Sequence, residues 1–543
     1  VGNLSISQLC QPPRIVTAVN GQLPGPTIQA REGDTVVVHL VNTSPYNMTI
    51  HWHGVLQRGT PWADGPAMVT QCPVRPGGNY TYRFNVAGQE GTLWWHAHIS
   101  FHRATVYGAL VIRPRGGAYY PFPKPDKEYV VVLGEWWNTN VYDMERMAYL
   151  TGIPAPHADA YTINGKPGDL YNCSAANQTY QFEVRQNRTY LLRIINAGMN
   201  TPLFFKVAKH RFTVVGADAS YTKPYNTDVV VVSPGQTVDA LMVADAAVGR
   251  YYIAASPYDS AVPRGPPFSN TTATAVVRYA GAKTTTTARP PALPRRPAVN
   301  DTATAHRFFS GLTALLRPGK PTVPLAVDIH MFVTVGLGVS VCQPEQLLCN
   351  RSAPPVFSSS MNNASFITPN NISLLEAHFK HASAGVYTRD FQDTPPVIFD
   401  YTADASDNAT MQYTTKSTKV KTLRYNETVE MVLQNTRLIA KENHPIHIHG
   451  FNFFILAQGF GNYDKATALR KFNLLDPQER NTIAVPTGGW AVTRFVADNP
   501  GMWYMHCHFD AHISLGLAMV FEVLDGPTPE TSVPPPPVDL PRC

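Results

Sequence analysis

Near its end the chain reads Trp503-Tyr504-Met505-His506-Cys507-His508-Phe509-Asp510-Ala511-His512, a cysteine between two histidines with a third histidine five residues beyond it. Apolar, β-branched runs flank this stretch, which predicts a strand entering a turn. Successive side chains of a strand point to opposite faces, so His506 and His508 look one way and Cys507 the other. One strand can then serve two metal sites, with only backbone between them. Three further pairs share the His-x-His spacing: His51/His53, His96/His98 and His447/His449. The 18 histidines of the chain predict roughly one such pair by chance. The eight imidazoles exceed the about four ligands that a zinc ion takes, but suffice for several ions close together. His444, Cys507 and His512 remain. Two imidazoles and a thiolate with a weak or absent axial donor define a blue-copper electron-transfer site. His444 lies three residues before His447 and on a strand faces away from the His447/His449 pair.

Other residues of these types receive plainer readings. His39, His102, His157, His210, His306, His330, His378 and His381 read as ordinary core or surface histidines, with His102 notable for its closeness to His98. Trp94, Trp95, Trp503 and Tyr504 read as packing around the ligand strands rather than as electron relays.

The strands that must position these ligands recur along the chain. Residues 31–42, 185–196 and 424–435 share a template in which Arg, Thr and Asn fall in register around a turn and an apolar strand. A second element repeats from Gly91 to His96-Ala97-His98, from Gly249 to Ala254-Ala255-Ser256, and from Gly501 to His506-Cys507-His508. After the central template the chain reads Thr201-Pro202-Leu203-Phe204-Phe205, without histidine. The repeats predict three similar domains, the middle one keeping the scaffold and lacking the ligands. With 47 Pro and 37 Gly along the chain, repeats of this size are expected to be β-sandwiches of short strands, bounded near residues 118 and 300. The Thr/Pro-rich stretch 284–297 reads as an exposed linker and the Pro-rich tail 527–541 as an extended surface segment.

The 543 residues are too many for one core, and the composition, 44% hydrophobic and 15% charged, is globular. No apolar run reaches the ~20 residues of a membrane span, and no basic patch interleaved with aromatics suggests nucleic acid. The formal charge of +6 reads as a solvated surface, with retention on an anionic matrix as the alternative. Val1-Gly2-Asn3-Leu4 resembles a processed N-terminus. Sequons at Asn3, Asn42, Asn47, Asn79, Asn172, Asn177, Asn187, Asn270, Asn300, Asn350, Asn363, Asn371, Asn408 and Asn426 predict a secreted glycoprotein. Of seven cysteines, Cys507 belongs to the histidine cluster and six remain for disulfides. Cys342/Cys349 is a plausible local pair; Cys10, Cys72, Cys173 and Cys543 cannot be paired from spacing.

His51-Trp52-His53-Gly54, Trp94-Trp95-His96-Ala97-His98, His444-Pro445-Ile446-His447-Ile448-His449-Gly450 and the His506-Cys507-His508 run resemble, in this order and spacing, the motifs of multicopper oxidases, and within them of the plant laccases. The resemblance extends over essentially the whole chain, residues 56–66 included. It implies an all-β fold of three cupredoxin-like Greek-key β-sandwich domains, at residues 1–118, 119–300 and 301–543, with a trinuclear cluster between the first and third. It implies four copper ions. The type 1 ion would take His444, Cys507 and His512; the type 2 ion His51 and His447; one type 3 ion His53, His96 and His508, the other His98, His449 and His506. It also suggests disulfides Cys10–Cys173 and Cys72–Cys543. Leu517 occupies the family's axial position, where ascorbate oxidases carry methionine; a hydrocarbon cannot ligate, which should raise the potential.

The implied activity is that of a laccase. Phenols of the monolignol type give single electrons at the edge of His512 or His444, and the electrons reach His506 and His508 through Cys507 for four-electron reduction of O₂ to water. Asp64 is the expected proton relay. Asp510 is a weaker candidate, read as surface solvation. A carboxylate beside the type 1 pocket should take the phenolic proton, with 475–479 (Asp476, Glu479) as one possible source. A monomer in the extracellular space, apoplast or cell wall is expected. Leu517 argues against ascorbate oxidase. Phe509 and Ala511 do not supply the acids a ferroxidase needs, and the complete ligand set argues against a copper-poor structural relative in the wall.

Overall fold

The computed structural model describes residues 1–171, 173, 178–261, 271–282, 291–352, 355–403 and 413–543. The sequons at Asn172, Asn177, Asn270 and Asn408, and the linker positions 284–290, lie outside the described residues.

One sheet arrangement is built three times. In the first copy Ile28–Arg31, Tyr107–Arg113, Gly91–Ala97 and Ile50–His53 lie side by side. In the second the order is Tyr180–Val184, Ala273–Tyr279, Arg250–Pro257, Leu203–Val207 and Val230–Val232. In the third it is Val420–Leu423, Ala518–Val523, Gly501–Cys507, His444–Ile448 and Thr482–Val485. Each begins with a parallel pair and continues antiparallel. The register is also the same: His51 faces His96, His447 faces His506, and in the middle copy Lys206 faces Ala254.

The shared template has a physical cause at both ends. Its third position is Gly33, Asn187 and Asn426, all with φ in the left-handed region, +87°, +60° and +67°. Glycine and asparagine tolerate that turn best. Its last position is Asn42, Asn196 and Asn435, each folding its side chain back on the chain. The amide NH₂ donates to Tyr46 and Val74 carbonyls, to Thr201 and Val232 carbonyls, and to the Glu442 carbonyl, while Oδ1 accepts from Ser44, Gly198 and Arg437 N–H. Asn42, though part of a sequon, is therefore buried with its amide spent and is no glycan acceptor in the folded chain.

Strand alternation separates core from ligands. Trp503, Met505 and Cys507 enter the third core with Ile446 and Ile448, and Trp52, Leu93, Trp95 and Ala97 enter the first. The histidines leave from the opposite faces. A third core fills the middle copy, and the helix Thr302–Gly311, although beyond residue 300, packs Ala305, Phe308 and Phe309 into that same core. Buried polar contacts lock the middle copy to its neighbours: Thr92 of the first copy sits between Arg193 and Asp239, which pair within the middle copy, and Arg480 of the third copy is bidentate to Asp218. Disulfides join Cys10 to Cys173, Cys72 to Cys543 and Cys342 to Cys349. The tail lies along the first copy, where Trp62 donates to the Pro534 carbonyl and Asp539 accepts from Thr81 N–H.

Candidate metal centre

The four His-x-His pairs meet between the first and third copies. His53, His96 and His508 form one group with ligand atoms within 4.8 Å of one another, His98, His449 and His506 a second, and His51, His53 and His447 a third. His51 and His449 are stacked at 4.0 Å between centroids, His53 and His447 at 3.8 Å.

The outward ring nitrogens are fixed by hydrogen bonds. Nδ1 of His96 and of His506 each lies by the carbonyl of the following residue, at 2.8 and 2.9 Å. Nδ1 of His447 faces the Asn481 carbonyl at 2.8 Å. Asp64, fully buried, serves two rings: its backbone carbonyl and Oδ1 lie 2.8 and 3.2 Å from Nδ1 of His51, and its Oδ2 2.8 Å from Nδ1 of His449. His53 turns Nε2 to Asn481 and Thr482, at 3.0 and 3.1 Å, leaving Nδ1 inward. Partners of this kind select the tautomer that offers the other nitrogen to a metal.

The inner side is suited to cations that the rings can share. Nε2 of His51, His96 and His447 is buried without a hydrogen-bond partner among the described residues. Unmet buried polar atoms are costly unless something binds them. Burial, followed by the neighbouring imidazoles, drives the pKa values of His53, His98, His447 and His449 well below the ordinary value. The rings are thus neutral, as metal ligation requires.

The second site sits on the core face. Cys507, the free cysteine among the described residues, has Sγ 3.4 Å from Nδ1 of His512 and 3.9 Å from Nδ1 of His444. His512 comes from the helix Asp510–Leu515 that follows the strand. Leu517 is buried beside them in the core, and its carbonyl accepts from Cys507 N–H. Burial opposes a charge on His512, but Glu442 and then Cys507 hold its pKa up to about 10. Oε1 of Glu442 lies 3.3 Å from His512 Nε2.

Two assignments change. The carboxylate at the thiolate site is Glu442; Asp476 pairs with Lys223, and Glu479 accepts from Asn452 and Ser220. Asp510 is not a solvated surface residue: it is buried, 3.1 Å from Arg103, and burial raises its pKa to about 6. His102 joins the rings of Tyr46 and Tyr142 rather than the ligands. Trp94 lies against His96 and His53. Arg103, Asn481 and Thr482 carried no sequence signal. Arg103 contacts Nδ1 of His508 at 2.6 Å and donates to the carbonyls of His508 and Met199, joining three domains. A cavity of about 250 Å³, lined by His96, His98, Glu145, Tyr504 and Asp510, opens onto the cluster.

Comparisons with known proteins point to one family. Multicopper oxidase family models match residues 1–117, 127–282 and 390–527. The chain is 87% identical to Laccase-25 of Oryza sativa subsp. japonica, over 100% of this chain and 95% of that one. It is 55% identical to Laccase-7 of Arabidopsis thaliana, over 100% and 94%. The solved laccase from Botrytis aclada superposes with a TM-score of 0.72 at 26% identity, covering 98% of this chain and 87% of that one.

Proposed function

The chain belongs to the multicopper oxidase family and, within it, to the laccases, and on that premise we propose that it takes single electrons from monolignol-type phenols and reduces O₂ to two waters. In this reading four copper ions are held, one by His444, Cys507 and His512, one by His51 and His447, and two by His53, His96, His508 and His98, His449, His506. Bound copper supplies one-electron transfer at the thiolate site and multi-electron oxygen reduction at the histidine cluster. The three domains are taken as 1–118, 119–300 and 301–543.

The observation that carries the reading is the shared end of one strand. Cys507 stands with His444 and His512, while His506 and His508, its neighbours in the chain, belong to the cluster groups. The donor site and the oxygen site are therefore one residue apart along the backbone. The remaining roles fall to the chain. The His512 side chain is 7% exposed, and Glu442, whose carboxylate meets its Nε2, is 24% exposed. A phenol hydroxyl arriving at Nε2 meets that carboxylate, and oxidation makes the hydroxyl acidic enough to give up its proton there. Asp64 orients His51 and His449 and, with Asp510 and Glu145 at the cavity, would hand protons to the cluster. Leu517 supplies hydrocarbon where another donor would lower the potential. Secretion to the apoplast or cell wall as an N-glycosylated monomer fits the three disulfides.

Cys507→Ser tests the reading. It is expected to abolish the intense visible absorption of a copper–thiolate and oxygen uptake with monolignols; oxidation at the parental rate would end the argument.

A further inference from the structure

The middle domain gives no histidine to the cluster, yet one of its turns forms part of the cluster wall. Gly235, between the strands Val230–Val232 and Thr237–Val243, has φ +92°. A Cβ there would lie 2.8 Å from Cδ2 and 2.9 Å from Cγ of His508, and 3.2 Å from Cε1 of His53. Neither ring has room to withdraw. Arg103 stands 2.6 Å from His508 Nδ1, and Asn481 and Thr482 hold His53 Nε2 at 3.0 and 3.1 Å. Trp94 lies beside both rings, at 5.6 and 5.2 Å between centroids, and donates its indole N–H to the Gly235 carbonyl.

The turn itself is pinned. Gly235 N–H donates to the carbonyl of Asn196, the asparagine that closes the middle copy's template. Gln236 accepts from Ser233 N–H and donates to the carbonyl of Thr482, the residue whose hydroxyl meets His53. The middle domain is thus held against the two rings whose Nε2 and Nδ1 stand 3.1 Å apart.

We propose that Gly235 is a positioning residue, and that its turn sets the spacing of His53 and His508 and so the retention of copper by the His53–His96–His508 group. The proposal rests on the ligand assignment above. If the turn were only a contact between domains, copper would be indifferent to it.

The test uses the full-length protein and three variants. Gly235→Ala adds the methyl. Gln236→Met leaves Gly235 in place and removes the tether to Thr482. Gly281→Ala is the control for backbone strain, since Gly281 has φ +87° and, among the described residues, only Val248 near its would-be Cβ, at 3.9 Å. Copper per chain and visible thiolate absorption are measured after dialysis against a graded chelator. Gly235→Ala and Gln236→Met are expected to lose cluster copper at ~10–100-fold lower chelator strength, with the thiolate band unchanged and Gly281→Ala parental in both. Parental copper retention in both test variants would overturn the proposal, and if Gly235→Ala does not fold, Gln236→Met decides alone. A parental protein holding only the thiolate-site copper would instead sink the ligand assignment, and the proposal with it.

Discussion

Removing the Asp64 side chain should weaken one cluster group and spare the other site. Asp64→Ala keeps the backbone, so the carbonyl 2.8 Å from His51 Nδ1 survives, while His449 Nδ1 loses the Oδ2 acceptor at 2.8 Å. A buried N–H left unmet costs about 1–3 kcal/mol. Loss of an outer partner of a metal-binding histidine typically weakens affinity ~10–100-fold, which is about 1.4–2.8 kcal/mol. The two ranges agree, because the cost has one origin: the ring is no longer held in the tautomer that turns Nε2 inward. Asp64→Asn should fall between, since its amide can accept from His449 only by presenting NH₂ toward the protonated Nδ1 of His51. Chelator competition monitored by bound copper gives the affinity, and the thiolate band reports that the other site is intact. Parental copper affinity in Asp64→Ala would refute the orienting role.

Glu442→Gln should keep the visible band and lower kcat/KM for phenols by about 10²-fold, with the deficit shrinking at high pH where the phenolate is already formed. Unchanged kcat/KM would assign the proton elsewhere. Burial lowers the His102 pKa from 6.5 to about 4. Between these values the unfolded chain binds a proton that the native one does not, so stability falls as pH drops through 6.5 and the loss levels off near 4. His102→Phe should remove that part of the acid slope in urea unfolding measured across this window; an identical slope would contradict it. Asp218→Ala leaves the Arg480 guanidinium buried without its bidentate partner. A loss of about 3–5 kcal/mol is expected in denaturant unfolding, and a loss below ~1 kcal/mol would show that water compensates.

The ligands were legible because strand alternation is local. A His-x-His pair faces one way whatever its surroundings, and the thiolate between His506 and His508 had to face the other. The triple template was legible because each copy needs a left-handed turn and an asparagine to close its strand. Partners across domains left no such trace. Glu442 is only two residues from His444, yet its meeting with His512 depends on a loop held by Asn435. Arg103 reaches His508 across 405 positions and Gln236 reaches Thr482 across 246. Their roles follow from how finished domains dock. The place of Asp510 is hidden for a related reason: polarity suggests solvent, but the helix start carries it beside the buried Arg103.

The disulfide between Cys72 and Cys543 spans 471 positions, which makes most of the chain a closed ring. One peptide-bond cut anywhere between those cysteines opens the ring without releasing a fragment. A protease that nicks one exposed loop would leave a single covalent molecule, its metal sites still bracketed by the first and third domains. The cut would show on a reducing gel and not on a non-reducing one, so an enzyme that looks degraded by the first could remain whole by the second.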